Sequence, residues 1–309
     1  MWDVDDRPAS LYTRLYVLGM RLARDKHAFE GRQNTLERAR ERQVRGDRGP
    51  TAVTRLLFRT STAEVAGMTV WTVRPRRSPS RARVLYLHGG GYVHPLTRDY
   101  WRLVRALVRA HADVVVPAYP LAPDATVDDA VHRLVELAEA VRPDDHHRPT
   151  VLMGDSAGGA LVLVLAQQLR ARGMPPPVCV VALCPWLDAT LAQPGVTDLE
   201  ATDPMLAESG LRAAGRWWAG DRAPSDPLVS PLNGDLEGLP PIEVVIGDRD
   251  ILRPAVDDLA ERARQVGVDH DVQEVTAMFH VWMTRAIPEG RRTRRHLGGL
   301  VRRYGAGHR

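Results

Sequence analysis

The stretch best suited to covalent chemistry is Gly154-Asp155-Ser156-Ala157-Gly158. A serine hydroxyl is a weak nucleophile until its surroundings activate it. An apolar run, Val151-Leu152-Met153, precedes this serine, and an Ala/Leu/Val-rich stretch from Gly159 to Leu169 follows it. Strand, G-x-S-x-G and helix together make the tight turn that presents a nucleophilic serine. Side chains two positions before and two after Ser156 would collide in that turn, and Gly154 and Gly158 remove them. The start of the following helix aims free N–H groups at negative charge that forms beside the hydroxyl.

A second motif, His88-Gly89-Gly90-Gly91-Tyr92, directly follows the apolar run Val84–Leu87. Attack on a carbonyl builds charge on its oxygen, and each preorganised N–H donor there is worth about 3 kcal/mol of barrier. A glycine run lets bare backbone approach the reacting carbon. A dinucleotide site would need G-x-G-x-x-G opening a helix, and a P-loop would need G-K-[ST]. Neither pattern is present. The run therefore reads as an oxyanion loop rather than a simple turn, with His88 shaping it by hydrogen bonding.

Ser156 needs a base. Of the 11 histidines, His146 and His147 lie in a charged loop and His308 in a tail. His280 sits in Met278-Phe279-His280-Val281-Trp282, just past a strand pattern and before the final helix. The orienting acid belongs in the loop after the preceding strand. Two acids compete there, in Gly247-Asp248-Arg249-Asp250-Ile251-Leu252. Asp250 lies deeper in the loop and is favoured; Asp248 could cap the turn or pair with Arg249. Ser156, His280 and Asp250 would together perform acyl transfer through an acyl-enzyme. Asp155 reads as an organiser of loops.

These groups need a parallel sheet to hold them. The β-then-α rhythm places strands at Val84–Leu87, Val114–Pro117, Val151–Met153, Val178–Leu183, Ile242–Ile246 and Asp271–Val275. Helices fall at Tyr100–Ala110, Val127–Val141, Ala157–Arg172 and Val256–Val266. Two strands, Val53–Arg59 and Val65–Val73, are expected as an antiparallel pair ahead of them. Residues 1–50 read as helical: Leu11, Leu15, Leu18 and Leu22 recur at helical spacing, and a polar helix runs near Thr35 to Val44. That first helix is expected to lie on the protein's own apolar surface rather than on a membrane. The interval from Trp186 to Pro240 is too long for a simple crossover and holds a helix near Met205 to Trp218. The expected organisation is a helical cap segment at 1–50, a core at 51–185, a cap insertion at 186–226 and the rest of the core at 227–309.

The chain has 309 residues, 44% hydrophobic and 26% charged, as in an ordinary soluble protein. No apolar run approaches the ~20 residues of a membrane span, and the acidic start is unlike a signal peptide. A cytoplasmic protein is expected. Cys179 and Cys184 lie roughly 16 Å apart along one extended strand, far beyond disulfide reach, and read as small core residues. Metal-ligand spacing is absent, so neither metal nor organic cofactor is expected. The net charge is +4. From Arg285 to Arg309 there are eight arginines and one acid, +7, which leaves about −3 elsewhere. A single aromatic, Tyr304, stands among those arginines, so the tail reads as an amphipathic helix burying Leu297, Leu300 and Val301, not as a nucleic-acid site.

These motifs resemble the hormone-sensitive-lipase-like branch of the α/β-hydrolases, the bacterial family IV esterases. The resemblance runs from about Val84 to the last helix. It rests on His88-Gly89-Gly90-Gly91, on Gly154 to Gly159, on the loop of Asp250 and Leu252, and on Phe279-His280. Tyr119-Pro120-Leu121-Ala122-Pro123-Asp124, Ser230-Pro231-Leu232 and Leu239-Pro240-Pro241 also occupy familiar places. It implies an α/β-hydrolase fold: a mostly parallel eight-stranded sheet flanked by helices, with a helical cap made from the N-terminal helices and the insertion. It also implies oxyanion donors at the N–H groups of Gly90, Gly91 and Ala157. Pro120 and Asp124 replace the usual Arg and Glu, so a supporting salt bridge is lost there. Pro254 replaces a frequent second Asp.

The expected activity is hydrolysis of short- to medium-chain acyl esters. Tyr92, Trp186, Trp217, Trp218 and Trp282 are candidate pocket walls. The expected partner is a small-molecule ester, without nucleic acid or stable membrane insertion, and a homodimer is allowed. Rival readings are an acyltransferase or lyase on the same scaffold, or a non-catalytic ligand-binding member, against which the presence of His280 counts.

Overall fold

The structure is a computed structural model and describes residues 1–141 and 148–306. His146, His147 and His308 lie outside the described residues. In chain order the elements begin with β1 (Trp2–Asp5), α1 (Leu11–Leu22), α2 (Arg32–Arg45) and α3 (Ala52–Leu57). There follow β2 (Arg59–Val65), β3 (Met68–Arg74), β4 (Ala82–Leu87), α4 (Tyr100–Arg109), β5 (Ala112–Pro117) and α5 (Val127–Ala140). Next come β6 (Thr150–Asp155), α6 (Ala157–Ala171), β7 (Cys179–Leu183), α7 (Val196–Thr202) and α8 (Glu208–Ala219). The chain ends with β8 (Ile242–Gly247), α9 (Pro254–Gln265), β9 (His270–Val275) and α10 (Pro288–Gly305).

One sheet carries all nine strands in the order β1-β9-β8-β7-β6-β4-β5-β3-β2. β2 pairs antiparallel with β3, and β3 with β5; every other pairing is parallel. Strands β4 to β8 are covered on both faces and read as continuous apolar runs, as a buried parallel sheet requires. All residues of β4, β5, β7 and β8 are buried. Helix α6 is apolar nearly all round, and twelve of its residues are buried, the signature of a central helix. Helix α10 buries Leu297, Leu300 and Val301, as its spacing predicts, and packs beside α4.

Three expectations change. The sheet has a ninth strand, β1, inside the segment read as helical. Its partner β9 is some 270 residues away in sequence, and four residues are too few to show a period. The strand expected at Val53–Arg59 is instead α3. Thr51 caps it by accepting the Thr54 N–H at 3.3 Å, and β2 begins only after the helix ends.

The third change concerns α1. Its leucines do not face the protein: Leu11, Leu15, Leu18 and Leu22 are all exposed. Polar anchors decide which face turns inward. The Ser10 N–H donates to Glu289 Oε1 at 2.7 Å, the Thr13 hydroxyl donates to Glu289, and Tyr16 stacks on Phe279 at 6.0 Å. The N-terminal segment also binds α7 and α8. Arg21 donates to the Thr202 carbonyl at 3.3 Å, Lys26 to the Glu200 carbonyl, and the Gly31 N–H to Ser209 Oγ at 2.9 Å.

Candidate active site

Ser156 stands between the last residue of β6 and the first of α6, with φ 53° and ψ −121°. A non-glycine residue at positive φ is strained and must be held by its neighbours. The backbone of β7 and of the loop after it holds it: the Ser156 N–H donates to Leu183 O at 2.8 Å, and Ser156 O accepts from the Trp186 N–H at 3.0 Å. A Cβ on Gly154 would strike the Gly158 carbonyl, and one on Gly158 would strike the Leu87 carbonyl. Both glycines are thus required by close backbone approach.

The glycine loop lies directly on this turn. The Gly89 N–H donates to Asp155 Oδ1 at 3.0 Å. The N–H groups of Gly90, Gly91 and Ala157 find no acceptor among the described residues. His88 is fully buried, accompanies Gly89 O at 2.6 Å through Nδ1, and stacks on Tyr119 at 4.4 Å. The Tyr119 hydroxyl donates to His88 O at 2.6 Å. His88 therefore braces the loop. Burial pushes its imidazole below the ordinary histidine value.

His280 and Asp250 meet across the ends of β8 and β9. His280 Nδ1 lies 2.7 Å from Asp250 Oδ2. Asp250 is wholly buried, and its Oδ1 accepts the Leu252 N–H at 3.0 Å. Asp248 makes no such contact; its Oδ1 has no partner among the described residues. Between the two acids, the structure pairs Asp250 with the histidine. Burial alone would lower the His280 imidazole, but the carboxylates of Asp250, Asp203 and Asp155 outweigh it and hold the imidazole above its ordinary value.

Two buried acids support this arrangement. Asp155 accepts from the Tyr86 and Tyr100 hydroxyls as well as from Gly89, and burial pushes it up to about 6. Asp203 was not singled out by sequence. Its Oδ1 accepts the N–H groups of Met205 at 2.7 Å and Leu206 at 3.0 Å, and its Oδ2 accepts the Ile251 N–H at 3.1 Å. It thereby ties the insertion to the residue after Asp250. Burial, with Asp250 nearby, pushes it up to about 6.

Ser156 and His280 open into one cavity of about 640 Å³, with Gly89, Gly90 and Gly91 on its wall. Its apolar lining comes from Phe29, Met205, Leu206, Leu211 and Val281, and its polar lining includes Arg42 and His94. The five aromatics expected there sit elsewhere. Tyr92 stacks between Trp186 and Trp218, at 5.2 Å and 4.3 Å, in a buried column. Trp282 is buried and donates to Thr293 at 2.9 Å. Trp217 is partly buried beneath the Arg32 guanidinium. Large aromatics fill cores as readily as pockets, and sequence carries no signal to separate the two. His94, three residues past the glycine run, is buried with both ring nitrogens unpartnered among the described residues. A larger cavity, about 1300 Å³, lies away from these residues, bordered by Pro175, Pro241 and Tyr304.

Ligand atoms of Cys184, Asp250 and His280 lie within 4.8 Å of one another. Asp250 and His280 already bond each other. Burial holds the Cys184 thiol well above its ordinary value, so it stays protonated and a poor metal ligand. Cys179 and Cys184 are both free and buried.

The family described as the alpha/beta hydrolase fold matches residues 84–284. An acetyl-hydrolase of Streptomyces hygroscopicus is 34% identical over 237 residues, 74% of this chain and 78% of that protein. An esterase of the bacterial hormone-sensitive lipase family superposes with TM-score 0.80 at 27% identity, over 96% of this chain and 99% of that one. A structure of EstE5 soaked with p-nitrophenyl butyrate gives TM-score 0.80 at 26% identity, over 94% and 99%. Matching sequence over two thirds of its length and fold over nearly all of it, the chain belongs to the hormone-sensitive-lipase-like branch of the α/β-hydrolase family and is a carboxylic ester hydrolase.

Proposed function

We propose that the protein is a serine esterase acting on short- to medium-chain acyl esters through Ser156, His280 and Asp250. The observation that carries this reading is the buried Asp250–His280 pair, whose histidine opens into the same cavity as the strained Ser156. Asp250 engages Nδ1, which leaves Nε2 to take a proton. His280 accepts the Ser156 proton as Oγ attacks the ester carbonyl. The oxyanion is held by the N–H groups of Gly90, Gly91 and Ala157, which have no acceptor among the described residues. His280 then protonates the departing alcohol, and water attacks the acyl-enzyme with His280 again as base. Asp250 holds the tautomer and stabilises the imidazolium.

The N-terminal helices together with the segment after Trp186 serve as the cap. Their mutual hydrogen bonds, and their shared lining of the cavity by Phe29, Met205 and Leu211, support that division. A p-nitrophenyl ester series from acetate to laurate tests the substrate class. The cavity of about 640 Å³, with Phe29, Met205, Leu206 and Leu211 on its wall, predicts a maximum at short to medium chains; a maximum at laurate would contradict it.

A further inference from the structure

Helix α1 turns a stripe of leucines away from the protein. Leu11, Leu15, Leu18 and Leu22 are 72%, 58%, 52% and 77% exposed, and Tyr12 beside them is 56% exposed. At 3.6 residues per turn the four leucines share one arc. The opposite arc, with Thr13, Tyr16 and Met20, faces the body. The helix thus has two apolar faces, and the body covers one. Single exposed leucines are ordinary, but four in one contiguous stripe mark a contact surface.

The surroundings of the stripe are cationic. Arg14 and Arg21 border it along one side, and Arg24 and Lys26, with Asp25 between them, follow its end. Helix α1 contains no carboxylate. Among the described residues Arg14 and Arg21 donate to backbone carbonyls, those of Ala9 and Thr202, and not to carboxylates. Just beyond the stripe, Ala23, Arg24, Asp25 and His27 form part of the wall of the cavity that holds Ser156. Leucines rimmed by arginines suit a helix lying in the plane of an anionic membrane surface. A second copy of the chain fits less well, because a symmetric contact would bring like-charged arginine rims together.

We propose that α1 docks the protein peripherally on an anionic phospholipid surface. Its leucines enter the boundary between headgroups and acyl chains, its arginines meet lipid phosphates, and the cavity mouth is brought close to the bilayer. No helix among the described residues is long and apolar enough to cross a membrane, so the contact is a docking and not an insertion across it.

Flotation of the full chain with phosphatidylcholine vesicles, with and without phosphatidylglycerol, tests the proposal. The expected result is binding to the anionic vesicles, weakened by salt. The double variant Leu15→Ser, Leu18→Ser should bind about tenfold less, as should Arg14→Glu, Arg21→Glu. An unchanged thermal transition shows that each variant is folded. Equal binding by wild type and leucine variant would overturn the proposal, and so would the absence of wild-type binding to anionic vesicles. A concentration-dependent dimer that the leucine variant abolishes, without vesicle binding, would assign the stripe to a second copy instead.

Discussion

His280 Nδ1 lies 2.7 Å from Asp250 Oδ2, and the two side chains are buried together beneath the cavity. Loss of the charge should cost far more than loss of a hydrogen bond. Asp250→Asn keeps the shape but reverses the donor pattern toward Nδ1, and kcat should fall about 10⁴-fold. Asp248→Asn removes an acid that does not touch His280 and should change kcat by less than about threefold. Steady-state kinetics on one soluble p-nitrophenyl ester checks both.

The same pair sets the pH profile. A base works only when neutral, so kcat/KM should fall as pH drops through the His280 midpoint. Asp250, Asp203 and Asp155 hold that midpoint above the ordinary histidine value of 6.5. Asp203→Asn removes one of the three charges and should lower the midpoint in the free enzyme. It also faces the Ile251 N–H with an amide that can accept through only one atom, so kcat should fall as well. A pH profile of kcat/KM separates the two effects.

Asp155 and Asp203 should also mark stability. Each has a folded pKa of about 6, above the ordinary 3.8. Between those values the folded state holds protons that the unfolded state has released. Stability from these groups is therefore greatest below about pH 4, falls as pH rises to about 6, and is then constant. Asp155→Asn should flatten part of that decline while its oxygen still accepts from Tyr86 and Gly89. Urea unfolding at a series of pH values measures the slope.

The turn at Ser156 allows no side chain behind it. Gly158→Ala drives a methyl into the Leu87 carbonyl. It should cost about 3 kcal/mol of stability or prevent folding. Thermal unfolding beside Gly173→Ala provides the comparison; Gly173 meets nothing within 4 Å but has φ +64°, so that change should show strain alone.

What sequence revealed followed from how local each signal was. The elbow and the glycine run are contiguous motifs, and five of the six expected parallel strands are apolar runs, so both were legible; the sixth, at Asp271–Val275, mixes polar and apolar residues instead. So were the core assignments of Leu297, Leu300 and Val301. β1 was not, because its partner β9 lies at the other end of the chain. The orientation of α1 was not, because periodicity locates an apolar stripe without saying which way it turns. Here the contacts of Ser10 and Thr13 with Glu289 decided it. Asp203 and His94 were missed for a similar reason. A buried acid or histidine looks like any other until the elements around it are placed. The aromatic residues were misread as walls because burial in a column and burial around a ligand leave the same composition.

Activation of Ser156 is measured by parallel turnover and fluorophosphonate labelling of wild type and Ser156→Ala. Wild type should hydrolyse p-nitrophenyl butyrate and take one label on Ser156. The variant should lose about 10⁶-fold in kcat and remain unlabelled. A folded variant that hydrolyses the ester as fast as wild type, or a wild type that neither turns over nor labels, would contradict the account.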